Sequence, residues 1–185
     1  MISAGELKRG IAIELDGHLY SIVDYSHNKT GRGGALVKIK LRDLRAGSII
    51  ERTFSATEKF RRTYLEHAKV QYLYRDDDTF HFMDTETFEQ TALGAVMIGD
   101  AVNYLKENMI VDLLKHNEDP IDIDLPVTVD LEVTKTDPGF KGDTATGGTK
   151  PAVLETGLKV NVPLFVNTGD TVRVDTRTGE YLERA

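Results

Sequence analysis

At 185 residues, with a formal net charge of −7 and 40% hydrophobic residues, the chain is long enough for one large domain or two to three small ones with real cores. It contains no cysteine, which excludes disulfide frameworks and thiolate metal sites and points to a reducing compartment. Residues 1–9 lack the basic-then-apolar pattern of a signal peptide, and no stretch approaches the roughly 20 apolar residues of a membrane helix, so the expectation is a soluble, cytoplasmic protein with no membrane partner.

Strand signals dominate: short alternating or apolar runs rich in Val, Ile, Thr, Tyr and Phe, broken by Gly and Asp turns. Strands are predicted at residues 11–15, 18–29, 35–44 and 48–54, with hairpin turns at Asp16-Gly17 and Ala46-Gly47. Residues 56–62 read as a short helix. Further strands follow at 70–74, 80–83 and 88–93, a helical turn at 98–105, and strands at 109–114 and 121–125. Beyond Pro126 come strands at 127–134, 152–154, 159–165, 171–175 and 180–182, with a polar loop over 137–150. The predicted fold class is mainly β, at the spacing of sandwiches or small barrels, in three parts at 1–64, 65–126 and 127–185.

Charge is unevenly shared among these parts. The first has 12 Lys+Arg against 7 Asp+Glu (+5), the second 4 against 14 (−10), and the third 7 against 9 (−2). Such asymmetry fits a protein that shows a basic end to one partner and an acidic middle to another.

The most informative window lies between residues 25 and 42, which holds no acid but does hold Lys29, Arg32, Lys38, Lys40 and Arg42. Alternation puts Lys38, Lys40 and Arg42 on one face of the returning strand, a surface suited to tracking phosphates. At the tip, Thr30-Gly31-Arg32-Gly33-Gly34 sets one permanently charged side chain among glycines that add no bulk, a geometry suited to a narrow cleft. Gly-rich loops are also commonly plain turns, and the acid-free arms tip the balance toward function.

Other candidates read as structural. Asp76-Asp77-Asp78 reads as a solvated turn, since no calcium-loop spacing follows. The run Gly142 to Lys150 departs from a phosphate loop, because Thr149 separates Lys150 from the glycines and Pro151 follows. The five histidines show no paired metal spacing and there is no nucleophile elbow, so neither metal nor cofactor is expected, and the pattern points away from an enzyme. The tetrad Asp84-Thr85-Glu86-Thr87 recurs as Asp175-Thr176-Arg177-Thr178. Either a duplicated module or the independent turn chemistry of Asp and Thr explains it.

The stretch His27-Asn28-Lys29-Thr30-Gly31-Arg32-Gly33-Gly34-Ala35, the run Lys150-Pro151-Ala152-Val153-Leu154-Glu155-Thr156-Gly157, and Val174-Asp175-Thr176-Arg177-Thr178-Gly179-Glu180-Tyr181 together resemble bacterial elongation factor P across the whole chain. The resemblance implies an elongated, L-shaped, tRNA-sized monomer with one SH3/KOW-like and two OB-like barrels. It implies binding to the 70S ribosome between the P and E sites and relief of stalling at consecutive prolines, without catalytic residues. Arg32 would contact the acceptor end of P-site peptidyl-tRNA, the middle barrel would face the large-subunit stalk protein L1, and Gly142, Asp143 and Thr144 would contact mRNA in the E site. Tyr181 and Arg184 are further candidates for RNA contact. In one branch of the family the tip arginine is rhamnosylated, but that branch usually lacks the Gly33-Gly34 pair, so an unmodified and a rhamnosylated Arg32 both stay open. The alternatives are a paralogue of the family and a general single-strand RNA-binding OB protein.

Overall fold

A computed structural model of the chain describes residues 1–29, 34–139 and 147–185. Gly31, Arg32, Gly33, Gly142, Asp143 and Thr144 therefore lie outside the described residues. Among the described residues strand makes up 59% and helix 7%, in sheets that curl into half-barrels, as the alternating sequence pattern leads one to expect. The chain divides into two compact units, Met1–Ala68 with Leu113–Asp122, and Lys69–Asp112 with Ile123–Ala185.

The first unit holds a six-stranded sheet in the order β1-β6-β2-β3-β4-β5. Its strands are β1 (Ile2–Ser3), β2 (Ala12–Leu15), β3 (His18–Lys29), β4 (Ala35–Asp43), β5 (Ile49–Ser55) and β6 (Lys59–Thr63). Alternate residues of β3 and β4 point inward: Tyr20, Ile22, Val37, Ile39 and Leu41 pack with Ala4, Leu7, Ile13, Phe54 and Phe60. A smaller cluster joins Ala12, Leu19 and Leu44 to Ile121.

Strand β6 overturns the helix expected at residues 56–62. The run Lys-Phe-Arg-Arg has no helical stripe to bury; in a strand it buries Phe60 at 4% exposure, beside Phe54, and leaves Lys59, Arg61 and Arg62 in solvent. Its residues are paired along the strand, Lys59 and Phe60 with β1 and Arg61, Arg62 and Thr63 with β2, so sheet pairing overrides local propensity.

A second sheet runs β11-β10-β7-β8-β9, from β7 (Glu66–Asp76), β8 (Thr79–Asp84), β9 (Gln90–Gly94), β10 (Ile110–His116) and β11 (Asp119–Asp124). A third runs β14-β13-β12-β15-β16, from β12 (Thr128–Thr136), β13 (Thr149–Leu154), β14 (Lys159–Pro163), β15 (Thr171–Asp175) and β16 (Tyr181–Arg184). Numbered within themselves, both sheets read 3-2-1-4-5, so the strand order repeats.

The repeated Asp-Thr tetrads occupy different places in that order: residues 84–87 connect the second and third strands of their sheet, residues 175–178 the fourth and fifth. Turn chemistry, not the repeat of the sheets, accounts for them. In each, the Asp N–H donates to the carbonyl five residues on (2.9 Å for both Asp84 and Asp175), and the Asp carbonyl accepts from the fifth turn residue, Phe88 at 3.0 Å or Gly179 at 2.8 Å. The Asp Oδ1 accepts the N–H of Glu86 or Arg177 at 2.8 Å. Residues 43–48 of the first unit build the same turn, with the N–H groups of Arg45 and Ala46 donating to Asp43 Oδ1 at 2.8 Å and Gly47 N–H to the Asp43 carbonyl at 2.9 Å. The fifth position is left-handed in all three, with φ of 72° at Gly47, 61° at Phe88 and 75° at Gly179.

Candidate nucleic-acid interface

The basic ribbon is the β3–β4 hairpin. Pairing runs from Tyr20↔Asp43 to Lys29↔Ala35, with one bulge between Ile22 and Asp24. Val37 is fully buried opposite His27, and only the pairs Asn28↔Leu36 and Lys29↔Ala35 lie beyond it. At about 3.3 Å per residue the arms extend roughly 7 Å past the last core layer. Strand β5 accompanies β4 as far as Leu36↔Ser55, so the hairpin is braced along one side almost to its end.

Lys38, Lys40 and Arg42 do share the outward face, but neighbouring strands supply the acids that the window itself lacks. Lys38 Nζ lies 2.7 Å from Glu51 Oε1, with both side chains about half exposed (47% and 52%). A pair so exposed contributes little, about 0–1 kcal/mol, and a phosphate can displace its carboxylate. Arg42 Nη1 meets Asp122 Oδ2 at 3.0 Å with side chains only 25% and 9% exposed, which commits this arginine to the unit's own structure. Lys40 stands opposite both Asp24 and Glu51 in register, and among the described residues it makes no direct ion pair. Asp24 is held below the usual carboxylate range by the Arg9 guanidinium, then by the Tyr25 N–H. Lys8, Arg9, Asp24 and Tyr25 line an open hollow of about 470 Å³ at the ribbon's flank. The adjacent Lys8-Arg9 pair is a signal that the sequence reading passed over.

In the third sheet the polar loop connects β12 to β13, and its base is tied. Lys150 is buried at 6% exposure, and its Nζ donates to the Asp137 carbonyl at 2.6 Å. Thr136 Oγ1 donates to the Pro151 carbonyl at 2.9 Å and Thr134 Oγ1 to that of Val153 at 3.0 Å. A Cβ on Gly139 would fall 2.3 Å from the Leu164 carbonyl oxygen, so only glycine fits the loop's first side. Lys150, discarded above as a phosphate ligand, thus closes the loop that carries Gly142, Asp143 and Thr144.

Tyr181 is half-buried against the core of the third sheet. Arg184 lies with its guanidinium 5.5 Å from the centre of the Phe165 ring and 3.9 Å from Asp170. Phe165 is 58% exposed because β14 ends at Pro163 and the chain turns, with Val166 N–H donating to the Pro163 carbonyl and Val166 taking the core position instead. The sequence reading had placed Phe165 inside a strand, and periodicity alone holds no signal of its exposure.

Residues 3–60 match the family described as the elongation factor P KOW-like domain, 65–123 its OB domain, and 129–184 its C-terminal domain. The chain is 53% identical over 184 residues to elongation factor P of Acetivibrio thermocellus and 54% identical over 185 to that of Moorella thermoacetica, covering 100% of each. The chain belongs to the elongation factor P family. It is a translation elongation factor, and as a family member it acts with the ribosome. Among solved structures, it is similar to eukaryotic translation initiation factor 5A from Methanococcus jannaschii, at 22% identity and a TM-score of 0.49, over 66% of this chain and 89% of that one. No helix among the described residues is long and apolar enough to cross a membrane.

Proposed function

We propose that the chain, a cytoplasmic monomer, binds the 70S ribosome between the P and E sites and uses Arg32 to hold the acceptor end of peptidyl-tRNA, speeding peptide-bond formation at consecutive prolines. The carrying observation is the braced hairpin: β3 and β4 pair up to Lys29↔Ala35 and β5 supports β4 to Leu36, so Arg32 sits in a five-residue connection anchored at both ends. A guanidinium there can fork onto phosphate or sugar oxygens.

No general acid, base or nucleophile is needed, and the protein is not an enzyme in this reading. Proline is a constrained attacking amine, and a poly-proline peptide misplaces the reacting ester. Holding the acceptor end restores alignment inside the ribosome's own centre. Orientation worth about 2–3 kcal/mol corresponds to roughly 30- to 150-fold in rate. The acidic segment 65–126 suits a basic partner such as the stalk protein L1, and the tied β12–β13 loop would hold Gly142, Asp143 and Thr144 toward mRNA in the E site.

The test is a triple-proline reporter translated with purified factor. The described core of the first unit lies outside residues 30–33, so Arg32→Ala is expected to keep the wild-type melting temperature yet lose the acceleration. Full rescue by Arg32→Ala would remove the assigned role. The intact mass of protein from its native host reports whether Arg32 carries a deoxyhexose.

A further inference from the structure

The three Asp turns differ at their fifth, left-handed position: glycine at 47 and 179, phenylalanine at 88. A bulky residue is strained there, because its Cβ crowds the backbone, and glycine would relieve the strain. The ring stands largely outside the fold. Phe88 is 68% exposed and has no aromatic or cationic ring partner among the described residues. Its surroundings are acidic, with Glu86 and Glu89 exposed in the same turn, within a segment whose net charge is −10.

We infer that Phe88 is a docking anchor for a basic protein surface that offers an apolar pocket rimmed by Lys or Arg. Aromatic side chains surrounded by polar groups carry a disproportionate share of interface energy, and this one is presented on a turn whose backbone is fixed by hydrogen bonds to and from Asp84, including those of the Glu86, Thr87 and Phe88 N–H groups. The acidic rim steers toward positive charge and repels nucleic acid, so the partner is protein rather than RNA. This rests on the ribosome-binding reading, within which the partner is a ribosomal protein of net positive charge.

The experiment compares full-length wild type, Phe88→Gly and Phe88→Tyr by co-sedimentation with purified 70S ribosomes carrying peptidyl-tRNA, together with thermal melts. Phe88→Gly is expected to melt at or above the wild-type temperature while binding about tenfold or more weakly, and Phe88→Tyr to bind within about twofold of wild type. A photo-crosslinking phenylalanine at position 88 should label a basic ribosomal protein. Equal binding by Phe88→Gly while wild type binds normally would overturn the anchor and leave the ribosome reading intact. A melting temperature lowered by several degrees in Phe88→Gly, or a label on ribosomal RNA, would also overturn it. Failure of wild type itself to co-sediment would sink both readings.

Discussion

The second and third sheets share one strand order but fill it differently. The second packs rings, with Tyr72 5.5 Å from Phe82 and 5.9 Å from Phe80. The third is lined by Val129, Leu131, Val133, Leu154, Val160, Val162, Val172 and Val174, and among the described residues its one buried ring, Tyr104, comes from the segment before it. One strand order thus accommodates two kinds of apolar lining, and the outward positions are left to carry charge and contacts.

Changes to the two interiors separate them most. Phe82→Ala removes a fully buried ring and is expected to cost about 3–5 kcal/mol; Leu131→Ala in the third sheet should cost about 2–5. Urea titrations of the two variants check both figures. A smaller effect comes from exchanging turn residues. Gly179→Phe should cost about 1–3 kcal/mol, because the position is left-handed and a Cβ there lies 3.0 Å from the Tyr104 hydroxyl, whereas no penalty is expected for Phe88→Gly. Equal losses in the two melts would show that the turns are not equivalent after all.

The smallest difference is one of pH. Hydrogen bonds from the Arg177 guanidinium, then the Arg177 N–H, lower the Asp175 carboxyl to about 2. A carboxylate with a depressed folded-state pKa contributes stability that is complete above about pH 4, the range in which the unfolded chain ionises, and is lost as pH falls toward 2. Asp175→Asn should flatten that part of the acid-unfolding curve followed by circular dichroism, and an unchanged slope would argue against the pairing. In the first unit burial pushes Asp43 up, but the N–H groups of Ala46 and Arg45, with His18, outweigh it and leave the group lowered.

Strands and hairpins were legible in the sequence wherever a face alternates over five or more residues, as in β3, β4 and β12. The two-residue β1 carries no period to read, and β6 was hidden because Lys59-Phe60-Arg61-Arg62 is neutral locally and becomes a strand only between β1 and β2. The basic ribbon was located correctly as a face. Its electrostatics were not, because the partners come from elsewhere in the chain: Glu51 from the next strand and Asp122 from 80 residues away. The burial of Lys150 was hidden too, because its partner is a backbone carbonyl, that of Asp137, across the loop. Linear spacing records which residues share a face, while which charges survive on it is decided by register.

Tyr104 ties the last sheet to what precedes it. The ring is 7% exposed among residues 129–174, with Met109 and Leu125 half-buried beside it, and the neighbouring Asn103 carbonyl accepts the Thr156 hydroxyl at 2.5 Å. A chain cut short before Val127 would leave the Tyr104 ring and the Met109 and Leu125 side chains uncovered on that face, so the last strands complete the burial of what precedes them.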